Sequence, residues 1–280
     1  MSDQVAPKKI PILMYHSISE HATPKYSPFA ISPALFAQHM EYLQQQQYTP
    51  LTVTQFMELR TRGEQFLPEK PVLLTFDDGL EDFYTGAFQT LQRYSFPATL
   101  YVVTGYMNET SRWLQLEGEG NRPMLTWEKL AEIQAGGIEC GGHTHTHPQL
   151  DTIPLARARE EIVQCKKLLE DHLGQQVQSF AYPYGYHTSA VKQAVQAAGY
   201  TSACAVKYEM CSTNTDPFAL KRLQVGPEMK LQDLEALLTT GYTSVLTGMY
   251  KRARTPVWRV VRRVKAPLER YLQEKSLQPA

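Results

Sequence analysis

The stretch Val72-Leu-Leu-Thr-Phe-Asp-Asp-Gly79 joins an apolar run to two acidic residues and a glycine. The run of apolar and β-branched residues predicts a buried strand. In a parallel α/β fold, the carboxyl ends of the strands are where functional sites are built. There, one carboxylate of Asp77-Asp78 can bind a cation while the other takes a proton. Taken alone, the same residues are typical of an ordinary Asp-Gly turn with a helix-capping Asp.

Further runs of strand type recur along the chain, separated by helical patterns. The predicted strands are 10–15, 72–76, 98–103, 138–142, 179–182, 201–206 and 220–225. The predicted helices are 32–47, 82–94, 127–135, 154–173, 189–198 and 231–239. Alternating strands and helices imply a parallel α/β sheet, and about seven such units favour a closed or nearly closed barrel. The alternative is an open doubly wound sheet.

The composition predicts one large domain with a basic end. The chain has 280 residues, of which 42% are hydrophobic, and its 28 basic and 28 acidic side chains give no net charge. This balance offers no argument for nucleic acid as a partner, and we expect none. Residues 241–280, however, hold nine basic and two acidic side chains, a net charge of about +7. We therefore predict a main domain over residues 1–240 and a basic extension over 241–280.

The N-terminus and the cysteines favour a cytoplasmic protein. Residues 1–19 show no secretory signal, and no stretch approaches the roughly 18 consecutive apolar residues of a membrane-spanning helix. The four cysteines lack both Cys-x-x-Cys spacing and the density of a disulfide scaffold, which suits buried thiols in a reducing compartment. They are Cys140, Cys165, Cys204 and Cys211.

A histidine cluster follows the predicted strand 138–142, in Ile138-Glu-Cys-Gly-Gly-His-Thr-His-Thr-His147. On a helical turn, His143 and His147 would face the same side and could share a metal ion, while His145 would point away. In an extended segment all three imidazoles would line one face. Two histidines and one aspartate leave a coordination position open for a water whose pKa a divalent ion lowers. The residues therefore predict metal-dependent hydrolysis of a carbonyl compound.

A third motif is Ser179-Phe-Ala-Tyr-Pro-Tyr-Gly185, a short predicted strand followed by a Pro-Tyr-Gly turn. Backbone N–H groups at such a turn could face a developing oxyanion. The ordinary alternative is a β-turn with a packing tyrosine.

With these three motifs, the chain resembles the polysaccharide deacetylase superfamily, the metal-dependent carbohydrate esterases that include chitooligosaccharide and peptidoglycan deacetylases. Residues 75–79 are similar to the first motif of that family. Residues 143–147 are similar to its His-(Ser/Thr)-x-x-His motif, and 181–185 to its Arg-x-Pro-Tyr-Gly motif. The resemblance covers about residues 10–226. It implies a distorted (β/α)7 barrel that removes N-acetyl groups from an amino sugar in a polysaccharide or a lipid-linked glycan precursor.

The resemblance also implies roles for individual residues. Asp77 would be the general base, Asp78, His143 and His147 the metal ligands, Thr144 the support of the metal loop, and Pro183 with the Tyr184 backbone N–H the substrate and oxyanion contacts. Zinc is the default ion for two histidines and one aspartate, although other divalent metals share that preference.

Two departures from the family pattern add two candidates. The arginine that opens the third motif is Ala181 here, and Arg222 is the predicted replacement for holding Asp77. The family's C-terminal Leu-x-His is missing, because no histidine follows Arg222. Ile12-Leu-Met-Tyr-His-Ser17 instead resembles the rearranged motif order of the poly-N-acetylglucosamine deacetylase branch. In a closed barrel the first strand neighbours the last, so His16 is the predicted general acid.

The basic extension combines apolar residues near helical spacing with arginines. This composition suits an amphipathic helix lying in an anionic membrane interface, and we predict a peripheral contact on the inner face of the membrane through residues 250–275. The alternative is a C-terminal helix packed on the barrel with a solvated basic face.

Two other functions are compatible with the same motifs. One is hydrolysis of small cyclic amides or ureides on the same scaffold, since a fold does not determine a function. The other is a catalytically silent glycan-binding module, against which the complete set of acidic and histidine residues argues.

Overall fold

Twelve strands and seven α-helices are present in the computed structural model, which describes residues 7–207 and 209–243. The strands are β1 (Lys9–Ile10), β2 (Ile12–Tyr15), β3 (Ser17–Ile18), β4 (Ala30–Ile31), β5 (Thr49–Leu51), β6 (Pro71–Phe76), β7 (Thr99–Val102), β8 (Glu139–Gly142), β9 (Ser179–Ala181), β10 (Ser202–Val206), β11 (Cys211–Ser212) and β12 (Leu220–Gln224). The helices are α1 (Pro33–Gln45), α2 (Val53–Arg62), α3 (Gln89–Tyr94), α4 (Trp127–Ala135), α5 (Leu155–Leu173), α6 (Ser189–Ala197) and α7 (Leu231–Thr240).

Seven parallel strands close into a ring in the order β2, β12, β10, β9, β8, β7 and β6, with β6 paired again to β2. Leu13 of β2 therefore lies opposite both Leu223 of β12 and Leu74 of β6. The predicted (β/α)7 barrel is confirmed, and the alternative of an open sheet is wrong. The predicted C-terminal extension spans residues 241–280, and its residues from 244 onwards lie outside the described part of the chain.

The seven predicted strands are the seven strands of the ring, with ends that differ by one or two residues. The short strands β3, β4, β5 and β11 and helix α2 were not predicted. Strand β5 contains Pro50 and pairs only with the first half of β6, outside the ring. Helix α2 begins with a capping box, in which Thr52 accepts from the Gln55 N–H and the Gln55 side chain accepts from the Thr52 N–H. That pattern is visible in the sequence and could have identified the helix.

Most helices pack their apolar faces on the outside of the ring, whereas Val53 and Phe56 of α2 belong to the same cluster as Leu73. In α1, the Ser32 hydroxyl accepts from the Leu35 N–H at 3.1 Å and caps the helix. Phe36, Met40 and Leu43 then recur at helical spacing and are all fully buried. Burying such a side chain contributes about 1.5–3 kcal/mol, so this layer supplies much of the stability of the fold. Within the described ranges, no helix has the length and apolar character needed to cross a membrane.

Along each ring strand, side chains alternate between the helix layer and the barrel interior. In β6, Leu74 and Phe76 belong to the layer under the helices, whereas Leu73 packs in the interior. In the barrel interior, one apolar cluster contains Ile12, Leu73, Tyr101, Ala181, Cys204 and Leu220. The first residues of β7, β8 and β9 are polar instead, and Glu139 accepts from the Thr99 and Ser179 hydroxyls. The same alternation places the residues that follow the strands, beginning with Asp77, at the open carboxyl end.

Candidate active site

The acidic pair follows β6 directly, and both carboxylates are buried, at 4% exposure for Asp77 and 3% for Asp78. The Asp77 N–H donates to the Tyr15 carbonyl at 3.0 Å, which continues the strand ladder. At Asp78 the chain turns into the left-handed region with φ 79°. This conformation costs a non-glycine residue on the order of 1 kcal/mol, although aspartate tolerates it better than most. The turn lets the two adjacent carboxylates take different partners.

Arg222 of β12 holds Asp77. Its guanidinium is fully buried and donates to both carboxylate oxygens of Asp77, at 2.6 and 2.8 Å. It also donates to the Thr75 hydroxyl at 3.3 Å and lies over the Tyr101 ring. Burial raises the pKa of Asp77, but Arg222 and then His143 outweigh burial and hold that pKa well below its ordinary value. Asp77 is therefore ionised and fixed in orientation.

His143, directly after β8, is held by the third motif. Its Nδ1 lies 2.8 Å from the Ala181 carbonyl oxygen, and a carbonyl can only accept, so Nδ1 carries the proton. The lone pair of Nε2 is then free, and Nε2 lies 3.7 Å from Asp78 Oδ1. A metal-binding histidine is commonly oriented through its second nitrogen in this way.

His147 reaches the same carboxylate oxygen through a tight loop. Thr144 and His147 both have positive φ, 68° and 61°, and the Thr144 hydroxyl accepts from the His147 N–H at 3.0 Å. His147 Nε2 lies 3.5 Å from Asp78 Oδ1. His145 instead contacts the Thr104 hydroxyl at 3.1 Å, away from this cluster. The segment is neither a helical turn nor an extended strand, yet it brings His143 and His147 together and leaves His145 out.

The ligand atoms of Asp78, His143 and His147 lie within 4.8 Å of one another, and all three residues are buried. Burial, followed by the Asp77 charge, raises the pKa of Asp78 to about 8, and burial lowers the pKa of both histidines. Within the described ranges, Asp78 forms no ion pair with lysine or arginine. A buried carboxylate beside two neutral imidazoles matches the donor set of a divalent metal ion.

His16 lies directly after β2 and approaches the same Asp77 oxygen as His143. Its Nε2 is 4.0 Å from Asp77 Oδ2, which also lies 3.9 Å from His143 Nε2. The side chain is 15% exposed and its ring packs on the edge of Phe29. Burial is the main cause that lowers the pKa of His16 to about 4, against the opposing influence of Asp77. The barrel thus brings together residues from both ends of the chain around one carboxylate.

The third motif forms a short 3-10 turn over Pro183–Gly185 beside the histidine loop. Tyr184 has a positive φ of 59°, and its ring centroid is 4.9 Å from that of His147. The side chain of Tyr184 is 42% exposed, whereas Pro183 is buried. This turn therefore borders the metal cluster at the protein surface.

Tyr26 and Glu161 are among the residues in contact with the site that were not predicted. Tyr26 donates to Asp78 Oδ2 at 3.3 Å, and no local motif marks it. Glu161 accepts from both the N–H and the hydroxyl of Thr146 at 2.7 Å, which holds the histidine loop against α5. Glu161 lies on the buried face of α5 beside Ala158 and Ile162. A glutamate on the apolar face of a helix is a signal that could have identified it.

The sequence model of the polysaccharide deacetylase family matches residues 65–203. This stretch contains the acidic pair, the histidine loop and the Pro-Tyr-Gly turn. The chain belongs to the polysaccharide deacetylase superfamily. His16 and Arg222 lie outside the matched stretch.

Relatives from this superfamily match most of the chain. A poly-β-1,6-N-acetyl-D-glucosamine N-deacetylase of Staphylococcus aureus is 23% identical over 71% of this chain and 69% of its own length. The structure of the Streptococcus pyogenes deacetylase PplD in complex with acetate is 28% identical, covers 84% of this chain and 99% of that one, and has a TM-score of 0.71. IcaB from Ammonifex degensii is 26% identical, covers 79% and 93%, and has a TM-score of 0.68.

Proposed function

We propose that the protein is a metal-dependent hydrolase that removes N-acetyl groups from an amino sugar in a polysaccharide or a lipid-linked glycan precursor. The observation that carries the proposal is the buried cluster of Asp78, His143 and His147 next to Asp77, which Arg222 keeps ionised. A metal donor set beside a separate, oriented carboxylate suits metal-dependent hydrolysis of an amide.

Asp78, His143 and His147 would hold the ion, for which zinc is the first choice from the ligand types. When bound, a divalent ion supplies Lewis acidity, which polarises the acetamide carbonyl and lowers the pKa of water at the site. Thr144 serves this donor set indirectly, because its hydroxyl fixes the His147 backbone.

Asp77 is the proposed general base, and its Oδ2 is the proposed proton acceptor. Oδ2 lies 3.9 Å from His143 Nε2 and 4.0 Å from His16 Nε2. Arg222 donates to both carboxylate oxygens, at 2.6 Å to Oδ1 and 2.8 Å to Oδ2. Since Arg222 binds both oxygens, it fixes the direction of the Oδ2 lone pair towards the cluster. A base held in this way can take a proton without reorienting.

His16 is the proposed general acid for the leaving amine. Since its lowered pKa of about 4 leaves it neutral in the resting site, it would have to gain the proton that it donates during the reaction. Its position beside Asp77 Oδ2 places the proton donor and the proton acceptor within 4.0 Å of each other. The Tyr184 backbone N–H and Pro183 are the proposed contacts for the acetamide oxygen and the substrate, supported by the position of this turn against His147.

The names of the relatives support the choice of substrate class. The Staphylococcus aureus relative is named for removing acetyl groups from an N-acetylated glucosamine polymer. The Streptococcus pyogenes structure contains acetate, which is the product of the reaction proposed for this chain.

Acetate release from a panel of N-acetylated glycans, measured together with metal content, tests the proposal. We expect acetate release by the metal-loaded protein and none after chelation. Turnover of small cyclic amides or ureides without acetate release from glycans would favour the second enzyme function. Glycan binding without turnover of either class would favour the silent binding module.

We also propose that the protein is cytoplasmic and contacts the inner face of the membrane through residues 250–275, which lie outside the described residues. The proposal is supported by the net charge of about +7 over residues 241–280 and by the near-helical spacing of the apolar residues in that segment. Cosedimentation with anionic liposomes should be strong for the full chain and weak for residues 1–245. Equal binding by the two would contradict the proposal.

A further inference from the structure

The two oxygens of Asp78 have different surroundings. Oδ1 lies 3.5 Å from His147 Nε2 and 3.7 Å from His143 Nε2, whereas Oδ2 accepts a hydrogen bond from the Tyr26 hydroxyl at 3.3 Å. We infer that Tyr26 is a positioning residue for the metal site, whose hydroxyl occupies Oδ2 and leaves Oδ1 as the ligand atom. This inference rests on the proposed metal-dependent function and assigns a determinant of metal affinity that no motif marks.

The ring of Tyr26 is held independently of Asp78. It is 2% exposed and belongs to an apolar cluster with Leu80, Val103, Trp113, Leu114 and Met124. The Arg122 guanidinium lies over the ring, 5.3 Å from its centroid, and pairs with Asp82 at 3.5 Å. The ring is therefore fixed by packing and by a cation on its face, not by its bond to the carboxylate.

The backbone that carries Tyr26 is also fixed. The Tyr26 N–H donates to the Thr23 carbonyl at 3.0 Å. Thr23 in turn donates its hydroxyl to the Glu117 carbonyl at 2.7 Å and its N–H to the Glu119 carboxylate at 2.5 Å. The loop after β3 is thus joined to the segment between β7 and α4. A donor positioned before the ion binds lowers the cost of ordering the ligand.

Removing the hydroxyl leaves Oδ2 as a buried carboxylate oxygen that has lost its donor. The carboxylate of Asp78 can then rotate, or turn either oxygen towards the ion. Oδ1 is therefore no longer held towards the two imidazoles before the ion binds. Loss of such an outer partner typically lowers metal affinity about 10- to 100-fold. Because 3.3 Å is long for an O–H···O bond, we expect the lower part of that range, about tenfold.

Zinc affinity, measured by competition with a chelator, tests the inference on the full chain. Tyr26→Phe should bind zinc about tenfold more weakly than the native protein. Tyr106→Phe is the matched control, because its ring packs on Trp113 in the same region and, among the described residues, makes no hydrogen bond to Asp78. Its zinc affinity should be unchanged. Thermal melting of the metal-free variants should give similar midpoints, since both keep their rings.

Substitution of cobalt(II) for zinc adds a second measurement. The cobalt spectrum would not change if Tyr26 only stabilised the fold. The visible absorption of cobalt reports the geometry of its ligands, so the spectrum should change in Tyr26→Phe and not in Tyr106→Phe. Native-like affinity and spectrum in Tyr26→Phe, or equal weakening in both variants, would overturn the inference. If the native protein binds no divalent ion, the proposed metal-dependent function is contradicted. If the native protein binds zinc and Tyr26→Phe binds it equally well, only the role of Tyr26 is contradicted.

Discussion

The two ends of the barrel interior use the same strands for opposite purposes. Towards the amino ends of β2 and β6, the interior positions Ile12 and Leu73 are apolar. Four residues further along the same strands, two alternations later, the interior positions are His16 and Asp77. Because residues i, i+2 and i+4 of a strand lie on one face, the apolar residue and the reactive residue of each strand both point into the barrel. They differ only in their distance from its open carboxyl end.

The two ends also differ in their energetics. Each buried apolar side chain at the amino end stabilises the fold by about 1.5–3 kcal/mol. Buried charges at the carboxyl end cost free energy unless they are paired, and Asp77 is paired with Arg222 at 2.6 and 2.8 Å. We therefore expect substitutions at the carboxyl end to lower turnover and those at the amino end to lower stability, and three substitutions test this in order of their effect on turnover.

His16→Ala should have the largest effect. Loss of a general acid lowers turnover by roughly 100- to 10,000-fold, while zinc affinity stays native because His16 is not among the proposed ligands. Steady-state kcat and a zinc titration measure the two quantities. His21→Ala, in an exposed histidine of the following loop, is the control and should behave as the native protein. Native turnover in His16→Ala would contradict the assigned role.

Arg222→Ala should lower turnover by on the order of 100-fold, because Asp77 loses the two donors that orient it. It should also lower the free energy of unfolding by about 3–5 kcal/mol, since the carboxylate stays buried without its partner. Metal content should be unchanged. Arg222→Lys keeps the charge but not the two-point contact, and an intermediate rate is expected. Native rates in Arg222→Ala would show that Asp77 does not need this support.

Leu73→Ala should have little effect on turnover. This side chain is fully buried at the amino end, so its truncation should lower the free energy of unfolding by about 2–5 kcal/mol in urea titrations. Leu231→Ala, at an exposed leucine, is the control and should change that free energy by less than about 0.5 kcal/mol. If Leu73→Ala lowered turnover as much as Arg222→Ala, the contrast between an amino end that sets stability and a carboxyl end that sets turnover would be contradicted.

Much of the fold could be predicted because its information is local. Several ring strands, β2, β6 and β7 among them, are short apolar runs. The acidic and histidine motifs directly follow predicted strands, so Asp77, Asp78, His143 and His147 could be predicted as site residues. Barrel closure then brought His16 within reach from the start of the chain. Strand β5 escaped prediction because a short stretch containing Pro50 has no strand signature of its own.

The rest of the site depends on contacts that no sequence window contains. Tyr26 and Asp78 are 52 residues apart and meet only because two loops pack together above the barrel. The left-handed turns at Asp78, Thr144 and His147 are likewise set by the surrounding structure, since these residue types do not require positive φ. Partners of the motifs were therefore harder to predict than the motifs themselves.

Zinc stoichiometry and acetate release, measured side by side for the native protein and Asp78→Asn, test whether turnover depends on an ion held by Asp78, His143 and His147. We expect about one zinc ion per native chain and acetate release from an N-acetylated glycan. In Asp78→Asn we expect loss of the ion and a fall in turnover on the order of 1,000-fold or more. Acetate release by the metal-free native protein, or native zinc content and turnover in Asp78→Asn, would contradict this dependence.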